Sequence, residues 1–141
     1  MKGVFADVGI LDHIGIAVRS LAESLPFYTQ TLGLTSQGPE EVASEGVRVA
    51  FLQVGESRLE LLEPLSDDSP IARFLSKRGP GVHHFCLRVA DMDRALAALR
   101  SRGAEVIPPE HRIGAGGRRV AFIHPRSTGG ILMELKEYRR E

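Results

Sequence analysis

The chain repeats itself, and that repeat limits what it can fold into more than any other feature. Leu11–Val18, LDHIGIAV, matches Val82–Val89, VHHFCLRV. Setting His13 over His84, an offset of 71 positions, places Ile14 over Phe85, Ile16 over Leu87 and Val18 over Val89. The same offset returns after long, dissimilar segments, where Val49-Ala50-Phe51-Leu52 meets Val120-Ala121-Phe122-Ile123. Three extra residues then enter the second copy, so Leu59-Glu60-Leu61 falls over Met133-Glu134-Leu135 at an offset of 74. Two agreements at one offset argue against coincidence, and the chain reads as two copies of one module. Residues with metal-binding or acid–base chemistry recur between the copies, among them His13, Glu60, His84 and Glu134.

Each copy, roughly 70 residues, would be marginal alone, so two copies sharing one core is the natural reading. The expectation is a single domain over 1–141, with modules at about 11–64 and 82–137 and a linker at 65–81. Hydrophobic residues at 43% leave no case for disorder, and 18 basic against 18 acidic groups leave none for nucleic acid. Cys86, the sole cysteine, can form no internal disulfide. Neither a secretory signal nor a spanning segment is visible near Met1, which points to a cytoplasmic protein with no membrane partner.

Strand alternation over Leu11–Arg19 puts Ile14, Ile16 and Val18 on one face and His13, Gly15 and Ala17 on the other. Ser20 with Glu23 has capping-box spacing, and Leu21, Leu25, Tyr28 and Leu32 form a helical stripe that Gly33 stops. A short strand at Leu34–Gln37 precedes a polar loop, Gly38–Gly46. Val47–Val54 and Arg58–Leu62 then form a hairpin around Gly55-Glu56-Ser57. Asp68 or Ser69 caps a linker helix starting at Pro70. The second module repeats the plan: strand Val82–Val89, helix from Asp91 to about Arg102, strand Glu105–Ile107, a glycine-rich segment Glu110–Gly117, and a hairpin of Val120–His124 with Ile131–Glu137.

In both modules the histidine lies on the first strand and the glutamate on the last. The expected class is α+β: two tandem β-α-β-β-β modules forming curved mixed sheets around a central metal cavity. Imidazoles and carboxylates without a thiolate suit a borderline-to-hard divalent ion such as Co²⁺, Mn²⁺, Zn²⁺, Ni²⁺ or Fe²⁺. A lone strand histidine is more often structural and a strand glutamate more often solvated, but their joint recurrence favours ligands. His83 points away from His84 by parity, and His111 and His124 lie near loop or strand ends, so these three read as structural or surface residues. Parity also turns Glu63 and Glu137 away from Glu60 and Glu134, towards a solvated or edge role. Cys86 shares the His84 face and reads as a lining residue.

With LDHIGIAV, VAFLQVGESRLELLEPL, DDSPIARFLSKRGPGVHHFCLRV and VAFIHPRSTGGILMEL in this order, the chain resembles the vicinal oxygen chelate superfamily, and within it the methylmalonyl-CoA epimerases. The resemblance runs from about Leu11 to Glu137. It implies a glyoxalase-like fold with His13, His84 and Glu134 as metal ligands, and Glu60 at a position that is glutamine or glutamate among epimerases. It also implies interconversion of (R)- and (S)-methylmalonyl-CoA through a metal-stabilised enolate. Cobalt is the first choice of ion, with manganese, zinc or nickel as alternatives, and a homodimer is common for the architecture. Such inversion needs an acid/base group on each side of a planar intermediate. Glu134 is one; the glutamate some epimerases place three residues after a glycine is Val49 here, so Glu60 becomes the second candidate, with a water or Glu45 as alternatives. Arg118, Arg119 and Arg126 could meet CoA phosphates, and Ser127 and Thr128 could hydrogen-bond substrate.

Two other readings compete. A glyoxalase I-like lactoylglutathione lyase uses a similar His/Glu/His/Glu set, and a small-molecule binding protein of the same fold would need no complete set.

Overall fold

Strands β1 (Ile10–Ala17) and β5 (Gly81–Val89) open the two modules announced by the repeat. The computed structural model describes residues 10–138. They form two units, one of residues 13–83 and one joining residues 84–138 to residues 10–12, so the boundary crosses both opening strands.

In the unit of residues 13–83, α1 (Leu21–Pro26) follows β1 because the Ser20 side chain accepts from the Glu23 backbone N–H at 3.2 Å, satisfying a donor that the helix cannot. Strands β2 (Ser36–Val42), β3 (Val47–Val54) and β4 (Ser57–Pro64) come next. β3 pairs antiparallel with both β2 and β4, while β1 runs parallel to β4, giving a mixed sheet in the order β2-β3-β4-β1. Leu52 and Leu61 are fully buried beneath Leu21 and Val18, with Leu25 and Tyr28 packed alongside. Truncating either leucine would cost about 2–5 kcal/mol. Ser69 caps α2 (Pro70–Arg78), accepting from the Ala72 N–H at 3.1 Å.

The other unit repeats this order with α3 (Met92–Ser101), β6 (Arg112–Ile113), β7 (Arg119–Ile123), a one-turn α4 (Pro125–Thr128) and β8 (Leu132–Glu137). β5 and β8 are parallel, and β7 is antiparallel to β8 and β6. Asp91 caps α3 as Ser20 caps α1, accepting from the Arg94 N–H. Met92, Leu96 and Leu135 are completely buried there. Among the described residues no helix is long and apolar enough to cross a membrane.

Several expectations need correction. Leu32 is 54% exposed rather than part of the apolar stripe. The helix passes into a π-helical turn over Phe27–Thr31, and its wider spacing rotates later residues off the stripe. Most of the expected loop Gly38–Gly46 is strand β2, which has no apolar alternation because six of its seven residues are exposed. Its register shifts between Gln37 and Glu40, around Pro39, which has no N–H to give the ladder. Gly38, at φ +99°, is needed there, since a Cβ would lie 3.0 Å from the Val49 carbonyl. The strand expected at Glu105–Ile107 is reduced to one bridge, Val106 to Ile123, at one end of β7, while the other end pairs with β6, inside the glycine-rich segment Glu110–Gly117.

Glu63 and Glu137 are not solvated. Glu63 accepts from the Leu21 N–H at 3.1 Å and Glu137 from the Met92 N–H at 2.8 Å, each meeting the first residue of its module's helix. The neighbouring arginines repeat as well: Arg48 lies 3.1 Å from Glu63, and Arg119 lies 3.6 Å from Glu137.

Candidate metal centre

His13 stands on β1 and Glu60 on the parallel strand β4, where the register sets His13 beside Arg58 and Gly15 beside Glu60. With no side chain at Gly15, the diagonal from His13 to Glu60 is open. His13 Nδ1 lies 2.8 Å from Glu60 Oε2, and both side chains are buried. Arg58 Nη2 approaches the same oxygen at 3.6 Å while its guanidinium lies 4.6 Å above the ring of Phe51. Phe51 is the residue directly opposite Glu60 on β3.

The second module builds the same pair on its own strands. β5 and β8 are parallel, with Cys86 beside Glu134 and His84 beside Leu132. His84 Nε2 lies 3.0 Å from Glu134 Oε1, with side chains 7% and 10% exposed. The edge of the imidazole meets Phe122, the residue opposite Glu134 on β7, at a centroid distance of 6.4 Å. Phe51 and Phe122 are themselves repeat partners, so each His/Glu pair is walled by the same aromatic.

These donors fit a divalent ion. Two ligand atoms at right angles on an ion with bonds of about 2.1 Å lie about 3.0 Å apart, the separation within the His84/Glu134 pair. Buried carboxylates beside imidazoles also supply charge for a cation that solvent would otherwise have to supply.

Beside the His84/Glu134 pair lie groups that sequence reasoning missed. Asp12 is 2% exposed. Arg88 Nε donates to its Oδ1 at 2.7 Å, and Lys136 Nζ lies 3.5 Å from its Oδ2. The signal was available: strand parity puts Arg88 with His84 and Lys136 with Glu134, on a face where exposed charges are not expected. Cys86, on that parity, is fully buried.

Other sequence candidates have local duties. Arg119 pairs with Asp93, Arg126 binds Glu105 through both carboxylate oxygens, and Arg118 stacks 4.4 Å over Tyr138. Ser127 Oγ accepts from the Glu105 N–H, and Thr128 Oγ1 donates to the Ile131 carbonyl to close the turn. His124 Nδ1 caps α4 by accepting from the Arg126 N–H, and His83 packs edge-on against Phe74 at 5.0 Å. Both thus serve structure, and His111 is exposed.

The model of the glyoxalase/bleomycin resistance protein/dioxygenase superfamily matches residues 12–122. An ethylmalonyl-CoA/methylmalonyl-CoA epimerase of Cereibacter sphaeroides is 39% identical over 132 residues, covering 92% of this chain and 98% of the relative. The chain belongs to the methylmalonyl-CoA epimerase family of that superfamily. A protein of Bacillus subtilis described only as uncharacterised is 45% identical over 127 residues, covering 90% of this chain and 91% of that one. The structure of a Streptomyces coelicolor methylmalonyl-CoA epimerase variant with 2-nitronate-propionyl-CoA superposes with a TM-score of 0.86 at 38% identity, covering 92% of this chain and 97% of that one. That likeness gives the chain the vicinal oxygen chelate fold of methylmalonyl-CoA epimerase structures, with its two β-α-β-β-β modules. In this member of the epimerase family Val49 is 2% exposed and faces Leu62 across the β3–β4 ladder, on the Glu60 side of the sheet. Glu45 lies in a single 3₁₀ turn, Ala43–Glu45, beyond the end of that strand.

Proposed function

We propose that the chain interconverts (R)- and (S)-methylmalonyl-CoA, with His13, Glu60, His84 and Glu134 holding a divalent ion, cobalt first and manganese, zinc or nickel as alternatives. The observation that carries this reading is the buried His84/Glu134 pair at 3.0 Å and its repeat partner His13/Glu60 at 2.8 Å. The acyl-CoA analogue named with the Streptomyces relative supports an acyl-CoA substrate. When bound, the ion supplies a Lewis acid for the substrate oxygens that gain charge as the α-proton leaves.

The chain's own groups move the proton. Glu134 takes the α-proton through a carboxylate oxygen, and the C–H electron pair enters the enolate of the thioester. Glu60, its counterpart in the repeat, delivers a proton to the opposite face and so inverts the centre; in the reverse direction the two exchange roles. His13 Nδ1 and His84 Nε2, 2.8 and 3.0 Å from these carboxylates, would ligate the ion beside them. Burial keeps bulk water from quenching the intermediate non-selectively. The reading extends to a cytoplasmic homodimer, which sedimentation of the purified protein would check.

The test is solvent deuterium exchange. Metal-loaded protein should wash deuterium into the α-position of methylmalonyl-CoA, and Glu134→Ala should not. Lactoylglutathione formation from the glutathione hemithioacetal, with no exchange, would instead make the chain a lyase.

A further inference from the structure

Glu60 has a cation beside it whose counterpart in the second module is not a cation. Arg58 lies two residues before Glu60 on β4, so the two side chains share a face, and the register sets Arg58 beside His13 on β1. In the second module the residue beside His84 is Leu132. The repeat that copies His13, Phe51 and Glu60 therefore breaks at Arg58.

The guanidinium is held from two sides. It lies 4.6 Å over the ring of Phe51, the residue opposite Glu60 on β3, and its Nη2 is 3.6 Å from Glu60 Oε2. With the Arg58 side chain 24% exposed and that of Glu60 only 7%, solvent screens this pair less than it would one on the surface. The separation is that of an ion pair and not of a hydrogen bond, so Arg58 acts by charge. His13 Nδ1 meets the same oxygen at 2.8 Å. That nitrogen is the one offered to the ion under the proposed function, whereas the hold by Arg58 does not depend on it.

We propose that Arg58 is a positioning residue for Glu60: it restrains Oε2 and leaves Oε1 to carry the proton. This deepens the proposed function and rests on its reading of Glu60 as the second acid/base group. Proton transfer needs the carboxylate oxygen within hydrogen-bond reach of the reacting carbon's proton, and a carboxylate free to turn meets that demand only part of the time. Phe51 fixes the guanidinium, and the guanidinium restrains one oxygen.

Double-mutant cycles on Arg58 and Glu60 test this, in rate and in stability. Arg58→Met should lower kcat for epimerisation roughly 10-fold with KM unchanged, and Arg58→Lys, which keeps the charge, should recover part of the loss. In the Glu60→Gln background there is no carboxylate to restrain, so Arg58→Met should cost no further rate. In metal-free protein Arg58→Met should lower the urea midpoint more in the presence of Glu60 than in Glu60→Gln, a readout independent of catalysis. Arg58→Gln gives the same comparisons should the methionine variant not fold. Equal losses of rate in both backgrounds, or equal midpoint shifts, would make Arg58 merely structural and overturn the proposal. A raised KM with kcat unchanged would put Arg58 on the substrate and overturn it too. Full activity in Glu60→Gln would overturn the reading of Glu60 as a base and this role with it, whereas an impaired Glu60→Gln beside an unimpaired Arg58→Met would overturn this role alone.

Discussion

The Glu63 carboxylate accepts a hydrogen bond from the Leu21 backbone N–H at 3.1 Å, tying the end of β4 to the first residue of α1. Glu137 does the same for Met92 at 2.8 Å. A carboxylate at a helix N-terminus both satisfies an orphan donor and opposes the helix dipole, effects worth about 0.3–2 kcal/mol. The device recurs because each module must fix the tilt of its helix over the strand pair that bears a His/Glu pair. Glu63→Ala and Glu137→Ala should each lower the unfolding free energy by about 1–2 kcal/mol, read from urea midpoints. Metal affinity should be unchanged, since neither side chain is in either pair; a fall in affinity would assign the glutamates to the site.

Val49 stands on the Glu60 side of the sheet, diagonal to it, with Leu62 and Phe51 as the intervening partners. Diagonal neighbours on a sheet lie about 7–8 Å apart, close enough for a carboxylate placed there to reach a group near Glu60. Glu60→Gln should keep the metal and lose exchange by about 10²- to 10⁴-fold. Adding Val49→Glu to that variant should restore part of the lost rate. The apolar surroundings of Val49 make the second change destabilising, by about 1–3 kcal/mol, so exchange is measured well below the melting temperature. Full exchange by Glu60→Gln alone would remove Glu60 as the second base.

Near the start of α2, Ser66 Oγ donates to Asp68 Oδ1 at 2.6 Å, and this hydrogen bond holds the Asp68 carboxyl below its ordinary value. A carboxylate depressed in the folded state adds stability that is present above its unfolded pKa, about 3.9, and lost as pH falls through the lower folded value. Asp68→Asn should therefore be slightly less stable than the parent at neutral pH, and the two should converge in acid. Because Asp68 is exposed, the gap should also shrink with added salt.

The repeat made legible what depends on pattern. Helix caps at Ser20 and Asp91, strand parity at His13 and His84, and the separation of Glu60 from Glu63 all follow from residue type and period. Features set by tertiary context were not legible. β2 is held by backbone bonds to β3 while its side chains stay in water, so polar residues such as Glu40 and Glu41 carry no strand signal. Leu32 obeys a 3.6-residue period that the π-helical turn breaks. Glu63 and Glu137 looked idle because their partners are backbone groups 42 and 45 residues away. Lys136 has no repeat partner to single it out, and only the structure shows its burial beside Asp12.

Metal removal should expose the linkage between the ion and the fold. In each module the His/Glu pair joins the first strand to the last, His13 to Glu60 and His84 to Glu134, so an ion that engages these side chains binds only where those parallel strands are paired. A ligand that binds the folded state alone stabilises it by about 2.7 kcal/mol when its free concentration is a hundredfold above its dissociation constant. Chelation followed by dialysis should therefore lower the melting temperature by several degrees, and adding back Co²⁺ should restore it. His84→Ala should abolish the metal-dependent increment. Its metal-free melting temperature can fall as well, because Glu134 would lose its imidazole partner in a site only 10% exposed. The increment, rather than the absolute temperature, is thus the decisive reading: an undiminished increment in His84→Ala would place the ion elsewhere.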